Sequence, residues 1–506
     1  MDSGNMFSLF AARIRSDGDR SFIERSDGAV LTYAALGDQT ARIANILLGL
    51  GVSAGDRVAV QVDKSVESLL LYLACLRAGA VYIPLNPAYT VAELRYLLAD
   101  AEPKLFVCKP GRLAECGELG LPLMRSLGTQ GDGSLLADLA QASPSFTDHV
   151  CDRDDLAAIL YTSGTTGRSK GAMLSHGNLA SNAQTLKEAW RFTSQDRLLH
   201  ALPIFHTHGL FVATNIALIS GASMLFLPSF DIREIIRLLP RASVMMGVPT
   251  FYTRLLAQAD FTADVAATIR LFVSGSAPLA AITHREFSER TGHAILERYG
   301  MTETNMNTSN PYDGARVPGS VGLPLPGITI RIADPASGVE VATGEVGQIE
   351  IKGPNVFKGY WRAPEKTTAE FRPDGFFMSG DLGYRDDKGY VFIVGRNKDL
   401  IISGGFNIYP AEVEAAVEEI EGVAQCAVVG APHPDFGEGV IAVVVARPGA
   451  ALSEERIARA LAASLANYKR PKRVVILPEL PLNAMGKVQK NILRERLSRT
   501  FTDAGR

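Results

Sequence analysis

The chain has 506 residues, a length that predicts about three domain equivalents, or one large domain and one small one. Its composition, 47% hydrophobic and 21% charged, is typical of an ordinary globular protein. The net charge of −3 leaves no global basic field, which argues against nucleic acid and membrane surfaces as partners.

The cysteine pattern and the apolar segments indicate the cellular compartment of the protein. The five cysteines include no pair with CxxC spacing, so neither a disulfide framework nor a zinc site is predicted, and a reducing compartment is favoured. The N-terminus lacks a basic segment followed by an apolar core. The most apolar window, residues 69–85, is interrupted by Arg77 and Pro84. We therefore expect a cytoplasmic protein without a membrane span.

Residues 1–150 alternate apolar runs with helical patterns. Helical spacing predicts a helix at 66–77, and Thr90 with Glu93 forms a capping box at the start of another. The apolar runs predict strands at 58–62, 80–85 and 105–108. Such alternation implies a parallel sheet with helices on both faces.

A loop rich in glycine and hydroxyl residues follows an apolar strand at 156–161. Residues 161–171 read YTSGTTGRSKG. Glycines let backbone N–H groups converge, and the hydroxyls and Lys170 add donors, which is how a loop cradles a polyphosphate. The Walker spacing fails, because Ser169 stands where that pattern needs its second glycine. We predict a phosphate site formed by Thr162, Ser163, Gly164, Thr165, Thr166, Gly167 and Lys170.

Further strands end in clusters of glycine, histidine and hydroxyl residues. These strands are predicted at 223–227, 244–250 and 271–278, and the apolar run 199–204 leads into the cluster at 205–209. Ligands of open α/β sheets gather at the carboxyl ends of the strands, so a binding site is expected where these clusters meet.

The alternation of strands and helices ends near residue 316, where short strands separated by turns predict an antiparallel, barrel-like region. A smaller unit of helices and strands follows residue 398. The predicted fold class is α/β, with a large multi-layer N-terminal domain of mainly parallel sheets plus the small barrel-like β region, and a smaller mobile α+β C-terminal domain. We place the domains at 1–397 and 398–506.

Six motifs occur in an order that identifies a family. They are the loop at 161–171, YGMTET at 299–304, SGDLGY at 379–384, GRNKD at 395–399, SGGFNIYP at 403–410 and PLNAMGK at 481–487. With these motifs the chain resembles the adenylate-forming superfamily of acyl-CoA synthetases, luciferases and peptide-synthetase adenylation domains. The resemblance implies two steps: a carboxylate attacks the α-phosphate of Mg·ATP, and a thiol then displaces AMP from the acyl-adenylate.

The resemblance assigns the phosphates and the metal. Thr165, Thr166 and Lys170 would hold the β- and γ-phosphates. Thr302 would contact the α-phosphate. Glu303 would bind Mg²⁺, which prefers carboxylate oxygens beside phosphates.

The resemblance also assigns the nucleoside. Asp381 would accept hydrogen bonds from the ribose hydroxyls, and Arg396 would also reach the ribose. The adenine slot would be formed by Ser276, Ala277, Pro278 and Tyr299.

Lys487 matches the lysine that the family uses for adenylation only. In that role a mobile cation stabilises the charge that develops on the α-phosphate. Lys398 matches the hinge about which the small domain turns before the second step. That turn would bring a glycine-rich loop to the active site to admit coenzyme A, through Gly404, Gly405 and Phe406. The basic run at 468–473 would meet the 3′-phosphate of coenzyme A, or it is a solvated face. His206 would lie beside the acyl carboxylate.

Arg254 is the residue that we expect to select the acid. It follows the segment 247–250, which borders the acyl pocket in this family. A buried guanidinium needs a partner, and a second substrate carboxylate would supply a bidentate one. In the alternative, Arg254 points to solvent or pairs with an acidic residue. Arg298 is the competing candidate.

The pattern around the pocket resembles the malonyl-CoA synthetases, which join malonate, and often methylmalonate, to coenzyme A. Segment 205–209 lacks the aspartate that binds an amino-acid substrate, and segment 304–309 is polar with a bulky methionine. Thr207 and Met306 would then bracket the α-carbon. The other predicted pocket residues are Ser274, Gly275, Gly300 and Met301.

Three rival functions remain. One is a CoA ligase for another short-chain or aryl acid, and one is an adenylation module that loads a carrier protein. The third, a regulator without catalysis, is disfavoured because Glu303, Asp381, Arg396 and Lys487 are all present. Since Lys487 acts by its charge, a lysine acetyltransferase would silence it and a deacetylase would restore it.

Overall fold

The computed structural model describes residues 4–162, 169–483 and 486–501. Five residues of the predicted phosphate loop lie outside the described residues, namely Ser163, Gly164, Thr165, Thr166 and Gly167. Within the described ranges, no helix is both long enough and apolar enough to cross a membrane.

The first third of the chain alternates strands with helices. Its helices are α1 (Phe7–Ser16), α2 (Tyr33–Gly49), α3 (Val66–Ala78), α4 (Val91–Ala101) and α5 (Leu113–Gly117). Its strands are β1 (Ser21–Arg25), β2 (Val30–Thr32), β3 (Arg57–Gln61), β4 (Val81–Pro84), β5 (Leu105–Cys108), β6 (Met124–Ser126), β7 (Leu156–Thr162) and β8 (Lys170–Ser175).

The middle of the chain continues this alternation and includes a π-helical segment at His208–Thr214. Its helices are α6 (His176–Ala189), α7 (Asn215–Ser220), α8 (Ile232–Leu238), α9 (Pro249–Leu256), α10 (Ala263–Ala266) and α11 (Ala281–Thr291). Its strands are β9 (Arg197–His200), β10 (Ser223–Phe226), β11 (Val244–Gly247), β12 (Leu271–Ser274), β13 (Leu296–Met301), β14 (Asn305–Ser309) and β15 (Leu323–Pro324).

The last third is richer in antiparallel strands. Its helices are α12 (Pro364–Ala369), α13 (Pro410–Glu418), α14 (Glu454–Ser464) and α15 (Lys490–Leu497). Its strands are β16 (Thr329–Ala333), β17 (Gly347–Lys352), β18 (Phe377–Arg385), β19 (Val391–Arg396), β20 (Ile401–Ser403), β21 (Phe406–Ile408), β22 (Val423–His433), β23 (Gly437–Ala446) and β24 (Arg473–Ile476).

Two mainly parallel sheets dominate the N-terminal region. The nine-stranded sheet has the order β15-β14-β13-β12-β11-β9-β10-β1-β2, and the six-stranded sheet has the order β6-β5-β3-β4-β7-β8. A four-stranded antiparallel sheet, β16-β17-β18-β19, follows them. A five-stranded sheet near the C-terminus has the order β21-β20-β23-β22, with β24 beside β23. The predicted fold class is confirmed.

The helix α3 shows how the layers are held together. Every residue of it except Glu67 is buried, as expected for a helix that is apolar on all sides and packs between sheets. Ser65 caps its first turn, and Gly79 ends it in the left-handed conformation at φ 71°. The predicted capping box of Thr90 and Glu93 at the start of α4 is also confirmed.

The carboxyl ends of the parallel strands converge on a cavity of about 640 Å³. Residues that directly follow β3, β4, β9, β10 and β11 line it, together with Leu482, Asn483 and Gly486 from the C-terminal region. The sheets therefore place the residues that follow these strands around one cavity, as open α/β sheets do.

Candidate active site

The tight hairpin of β13 and β14 holds Glu303 at its turn. Gly300 allows the strands to meet, because a Cβ there would lie 1.9 Å from the carbonyl oxygen of Asn305. Asn305 itself adopts a positive φ of 50°. Phe357 donates its backbone N–H to the Glu303 carbonyl at 2.8 Å, which anchors the turn. The Glu303 carboxylate is buried, and this burial raises its pKa.

A chain of contacts joins Glu303 to the predicted phosphate lysine. Tyr360 donates its hydroxyl to Glu303 at 3.1 Å and also lies 2.6 Å from a Glu370 oxygen. Lys170 pairs with Glu370 at 3.5 Å and lies 5.0 Å from the Tyr360 ring centroid. Thr162 and Lys170 are partners across β7 and β8, so the predicted phosphate loop connects two paired strands. Sequence reasoning missed Tyr360 and Glu370, because no motif marks them.

The predicted ribose residues form a compact network. Asp381, on β18, is buried and accepts a hydrogen bond of 2.5 Å from the Tyr299 hydroxyl. Arg396, at the end of β19, pairs with the other Asp381 oxygen at 2.9 Å. Burial first, and then Asp381, raise the pKa of Tyr299 well above its usual value, so the phenol stays a donor. Both strands present one face here because their register pairs Asp381 with Arg396.

The predicted adenine segment connects β12 with α11. Ser276 adopts a positive φ of 73°, a strained conformation for a residue with a side chain. Its hydroxyl lies 3.3 Å from Nδ1 of His208. Ala277 and Pro278 follow in the same connection, and Tyr299 belongs to the neighbouring strand β13. The four predicted adenine residues therefore share one edge of the nine-stranded sheet.

Arg298 is a buried guanidinium that has no salt bridge to a carboxylate among the described residues. It is 3% exposed, and its Nε and Nη2 have no hydrogen-bond partner among the described residues. Glu297 precedes it and interacts with it electrostatically, but successive residues of a strand point to opposite faces, and no salt bridge joins the two in the described part of the chain. Burial lowers the pKa of Arg298 to about 9 and raises that of Glu297 to about 8.

The surroundings of Arg298 are polar and equally buried. Gly275 makes room for the guanidinium, because a Cβ there would lie 2.3 Å from Cζ of Arg298. Thr207 Oγ1, His208 Nε2, Ser274 Oγ and Glu297 Oε2 are among the other buried polar atoms that lack a partner in the part of the chain that the structure describes. Buried polar groups are normally satisfied, so this region is a candidate site for a polar ligand.

Lys487 faces this site from the C-terminal region. The loop that carries it touches α9, since a Cβ at Gly486 would lie 3.1 Å from Oγ1 of Thr250. Its side chain is exposed to the open cleft, but the protein around the cleft displaces water and, with Arg396, lowers the pKa of Lys487 to about 8. Burial and Lys487 lower the pKa of His206 to about 3, so that imidazole is neutral.

Arg254 differs from the expectation of a buried guanidinium. It is exposed on α9, lies 5.5 Å from the Phe230 ring centroid and lines the 640 Å³ cavity. The buried face of α9 is formed by Phe251, Tyr252 and Leu255. Arg254 lies at the edge of that face, and its guanidinium is exposed to solvent. The prediction that Arg254 is buried is therefore wrong.

The glycine-rich loop predicted to admit coenzyme A makes its contacts within the C-terminal region. Gly404 donates its N–H to the Phe436 carbonyl at 2.8 Å. Gly404 and Gly405 have positive φ values of 58° and 82°. Phe406 is 55% exposed and stacks on Tyr468 with ring centroids 4.6 Å apart. In this arrangement Lys487, rather than this loop, faces the nucleotide residues.

Comparisons with known proteins agree with this site. The model of the AMP-binding enzyme family matches residues 10–361, and that of the AMP-binding enzyme C-terminal domain matches residues 412–487. The crystal structure of ATP-bound MatB from Rhodopseudomonas palustris is similar, with a TM-score of 0.95 and 55% identity, over 99% of this chain and 100% of that one.

Two curated relatives differ in the acid that their names specify. A feruloyl-CoA synthase from Amycolatopsis is 38% identical over 93% of this chain and 95% of its own length. A malonate–CoA ligase from Arabidopsis thaliana is 34% identical over 98% of this chain and 90% of its own length. Both names denote the joining of an acid to coenzyme A. With the matched family models, these likenesses show that the chain belongs to the AMP-binding enzyme family.

Proposed function

We propose that the chain is an ATP-dependent malonate–CoA ligase, an AMP-forming acid–thiol ligase. Malonate, ATP and coenzyme A would give malonyl-CoA, AMP and pyrophosphate through a malonyl-adenylate. Relatives with similar identity are named for an aromatic acid and for a dicarboxylic acid, so identity alone does not select the acid. The selection must be argued from the pocket.

The buried Arg298 is the observation that carries this proposal. A charge withdrawn from water is costly unless it is paired, and two nitrogens of this guanidinium, Nε and Nη2, have no hydrogen-bond partner in the described structure. A monocarboxylic acid would supply only the carboxylate that reacts with ATP. Malonate has a second carboxylate that stays ionised throughout the reaction and that matches a guanidinium in charge and geometry.

The residues around the two ends of malonate suit the first step. One carboxylate would pair with Arg298, and the other would lie between neutral His206 and Lys487. An oxygen of the carboxylate between His206 and Lys487 attacks the α-phosphorus, the bond from that phosphorus to the bridging oxygen breaks, and pyrophosphate leaves with the electron pair. Lys487 stabilises the charge that develops on the α-phosphate, while Asp381 and Arg396 hold the ribose.

Magnesium would bind at Glu303. Among the described residues there is no cluster of three or more His, Cys, Asp or Glu side chains for a metal. Mg²⁺ does not need one, since it is commonly held by one or two carboxylates and by phosphate oxygens. The buried Glu303 carboxylate, fixed by Tyr360, fits that role. When bound, the ion would neutralise charge on the phosphates of ATP.

Coenzyme A would enter after adenylation. We place the hinge at Lys398, between an N-terminal domain of residues 1–397 and a C-terminal domain of residues 398–506. Turning the small domain would withdraw Lys487 and bring in Gly404, Gly405 and Phe406. The thiol then attacks the acyl carbon, and AMP leaves. The basic run at 468–473 includes Lys469, whose Nζ lies 5.7 Å from the ring centroid of the exposed Tyr468, and would meet the 3′-phosphate.

Regulation and location are part of the same proposal. Lys487 is exposed to the cleft, so a lysine acetyltransferase could reach it, and a deacetylase would restore its charge. All five cysteines are free, as a cytoplasmic protein requires. The proposed partners are small molecules and modifying enzymes, without nucleic acid or membrane.

The direct test is pyrophosphate release with a panel of acids, namely malonate, methylmalonate, succinate, acetate, butyrate and a cinnamate. Malonate should give the highest kcat/KM, and coenzyme A should be consumed in equal amount. A cinnamate in first place would replace this proposal with an aryl-acid ligase. Rapid loading of a carrier protein with little use of free coenzyme A would indicate an adenylation module instead.

Use of methylmalonate would depend on Thr207 and Met306. Both are buried, and Met306 packs over Gly300, where a Cβ would lie 2.5 Å from its Cε. We expect Thr207→Gly and Met306→Ala to raise the kcat/KM for ethylmalonate relative to malonate about tenfold, because either change enlarges the space beside the α-carbon.

The matched control is Met224→Ala, which removes a buried methionine from β10 in the same sheet. It should lower thermal stability without changing the ratio of ethylmalonate to malonate turnover. A ratio that stays flat in both pocket variants would contradict the assigned positions of Thr207 and Met306.

A further inference from the structure

Lys64 is a buried lysine in an unfavourable place. It is 9% exposed and stands between β3 and Ser65, the residue that caps the first turn of α3. Both burial and the positive end of a helix disfavour an ammonium group. Among the described residues it forms no ion pair, and the adjacent Asp63 pairs with Lys109 at 2.6 Å. Such a residue needs a specific reason for its position.

The contacts of Lys64 link the two parallel sheets. Its Nζ lies 2.9 Å from Nδ1 of His200 and 2.8 Å from the His200 carbonyl oxygen, and 4.2 Å from the Phe226 ring centroid. Lys64 follows a strand of the six-stranded sheet, whereas His200 ends β9 of the nine-stranded sheet. Burial lowers the pKa of Lys64, but the amine keeps N–H donors in either protonation state.

The other ring nitrogen of His200 forms a hydrogen bond with Gly209. Nε2 of His200 lies 2.9 Å from the Gly209 carbonyl oxygen. A carbonyl can only accept, so Nε2 carries the proton and Nδ1 accepts from Lys64. Thr214 donates to the same carbonyl at 3.0 Å. The chain from Lys64 through His200 therefore closes both ends of the loop formed by residues 200–209.

This loop carries the acid-side residues His206 and Thr207. It is folded tightly, since a Cβ at Gly209 would lie 2.1 Å from the Pro203 carbonyl oxygen. Leu210 donates its N–H to the His206 carbonyl at 2.9 Å. Among the described residues, the hydrogen bond that joins the first residue of the loop to its last is made by the imidazole of His200, and Lys64 holds this ring in orientation.

We propose that Lys64 is a positioning residue of the acid site, which acts through His200 to fix the loop of residues 200–209. This proposal rests on the proposed function, because it assigns that loop to the acid. Lys64 is not among the residues proposed to contact the acid or the nucleotide. Replacing Lys64 should weaken the binding of the acid and reduce the discrimination between acids. It should leave the pair of Asp381 and Arg396 intact.

The test compares Lys64→Met with Lys109→Met. Both lysines line the same cavity, but Lys109 pairs with Asp63 and not with the loop. In Lys64→Met we expect the KM for malonate to rise about tenfold, as loss of a buried hydrogen bond predicts, and the discrimination against ethylmalonate to narrow. The KM for ATP should stay within about twofold in both variants, and Lys109→Met should keep the KM for malonate.

Two further variants keep the test decisive. Lys64→Arg retains donors and should recover part of the malonate affinity. His200→Gln leaves Lys64 in place but replaces the rigid imidazole that joins Lys64 to Gly209 with a flexible amide that cannot hold both contacts in the same geometry, so it should reproduce the rise in KM even if Lys64→Met does not fold. In the double variant the two effects should not multiply, because both changes remove one link.

An unchanged KM for malonate in Lys64→Met and in His200→Gln would overturn the proposal, as would equal increases in the KM for malonate and for ATP. These outcomes differ from a failure of the proposed function, in which the unmodified protein itself would not use malonate.

Discussion

A Lys487→Gln protein is expected to lose formation of malonyl-adenylate while it still converts supplied malonyl-AMP and coenzyme A to malonyl-CoA. The structure places Lys487 beside neutral His206 and among the charges of Arg396, Asp381 and Glu303. Its ammonium can therefore follow charge onto the α-phosphate. Removing it should slow malonate-dependent pyrophosphate release by about 10²–10³-fold, the usual cost of losing one stabilising group in a transition state. Glutamine also imitates the acetylated side chain.

The pH dependence of the unmodified protein gives an independent check. Since the pKa of Lys487 is lowered to about 8, its charge is present below that pH and is lost above it. Adenylation should therefore decline as the pH rises through about 8, and thioester formation from malonyl-AMP should lack this decline.

The matched control is Lys388→Gln, which changes an exposed lysine in the turn before β19. It should leave both half-reactions unchanged. Equal loss of both half-reactions in Lys487→Gln would instead assign Lys487 a role in folding or in binding the shared AMP moiety.

Local patterns were sufficient to predict much of the fold. The apolar run predicted at 105–108 coincides with β5, and the capping box of Thr90 begins α4. Both depend on residues close together in the chain, where periodicity and capping chemistry decide the outcome. Their motifs assign Tyr299, Asp381 and Arg396 to one predicted nucleotide site, and the structure brings these three side chains into contact.

Contacts between distant segments could not be predicted in this way. Tyr360 and Glu370 connect Glu303 with Lys170, and neither belongs to a recognisable motif. Lys64 and His200 are 136 residues apart, and each is unremarkable in its own segment. Their roles appear only when two sheets are packed together.

The exposure of Arg254 was within reach of the sequence. On a helical wheel it stands at the edge of the face formed by Phe251, Tyr252 and Leu255, so an exposed guanidinium was the simpler expectation. Arg298 carried the stronger signal, because it and Glu297 are charged residues inside a strand that is buried on both faces.

An Arg298→Met protein is expected to lose malonate selectively. Without the buried guanidinium the second carboxylate has no partner, so the kcat/KM for malonate should fall about 10²–10³-fold, as for other buried charge pairs. The KM for ATP should not change, because Tyr299, Asp381 and Arg396 are left in place. Activity with butyrate should persist or rise. The measurement is pyrophosphate release with each acid.

The thermal stability of the Arg298→Met protein gives a second measurement, which should not fall as its activity with malonate does. Most substitutions of buried residues destabilise, but Arg298 is a buried charge without a carboxylate partner in the described structure. Replacing it with methionine should therefore leave the thermal midpoint of the ligand-free protein unchanged or higher. Malonate should raise that midpoint in the unmodified protein and not in the variant.

Arg254→Met is the matched control, since it removes the same group from the exposed helix α9. It should keep malonate in first place among the acids and keep the stabilisation by malonate. If Arg254→Met loses malonate and Arg298→Met retains it, the anchor is Arg254, and the second carboxylate lies in the open cavity rather than in the buried site. If both variants retain malonate, no guanidinium binds the second carboxylate, and the selection of a dicarboxylate must come from the shape of the pocket around Thr207 and Met306.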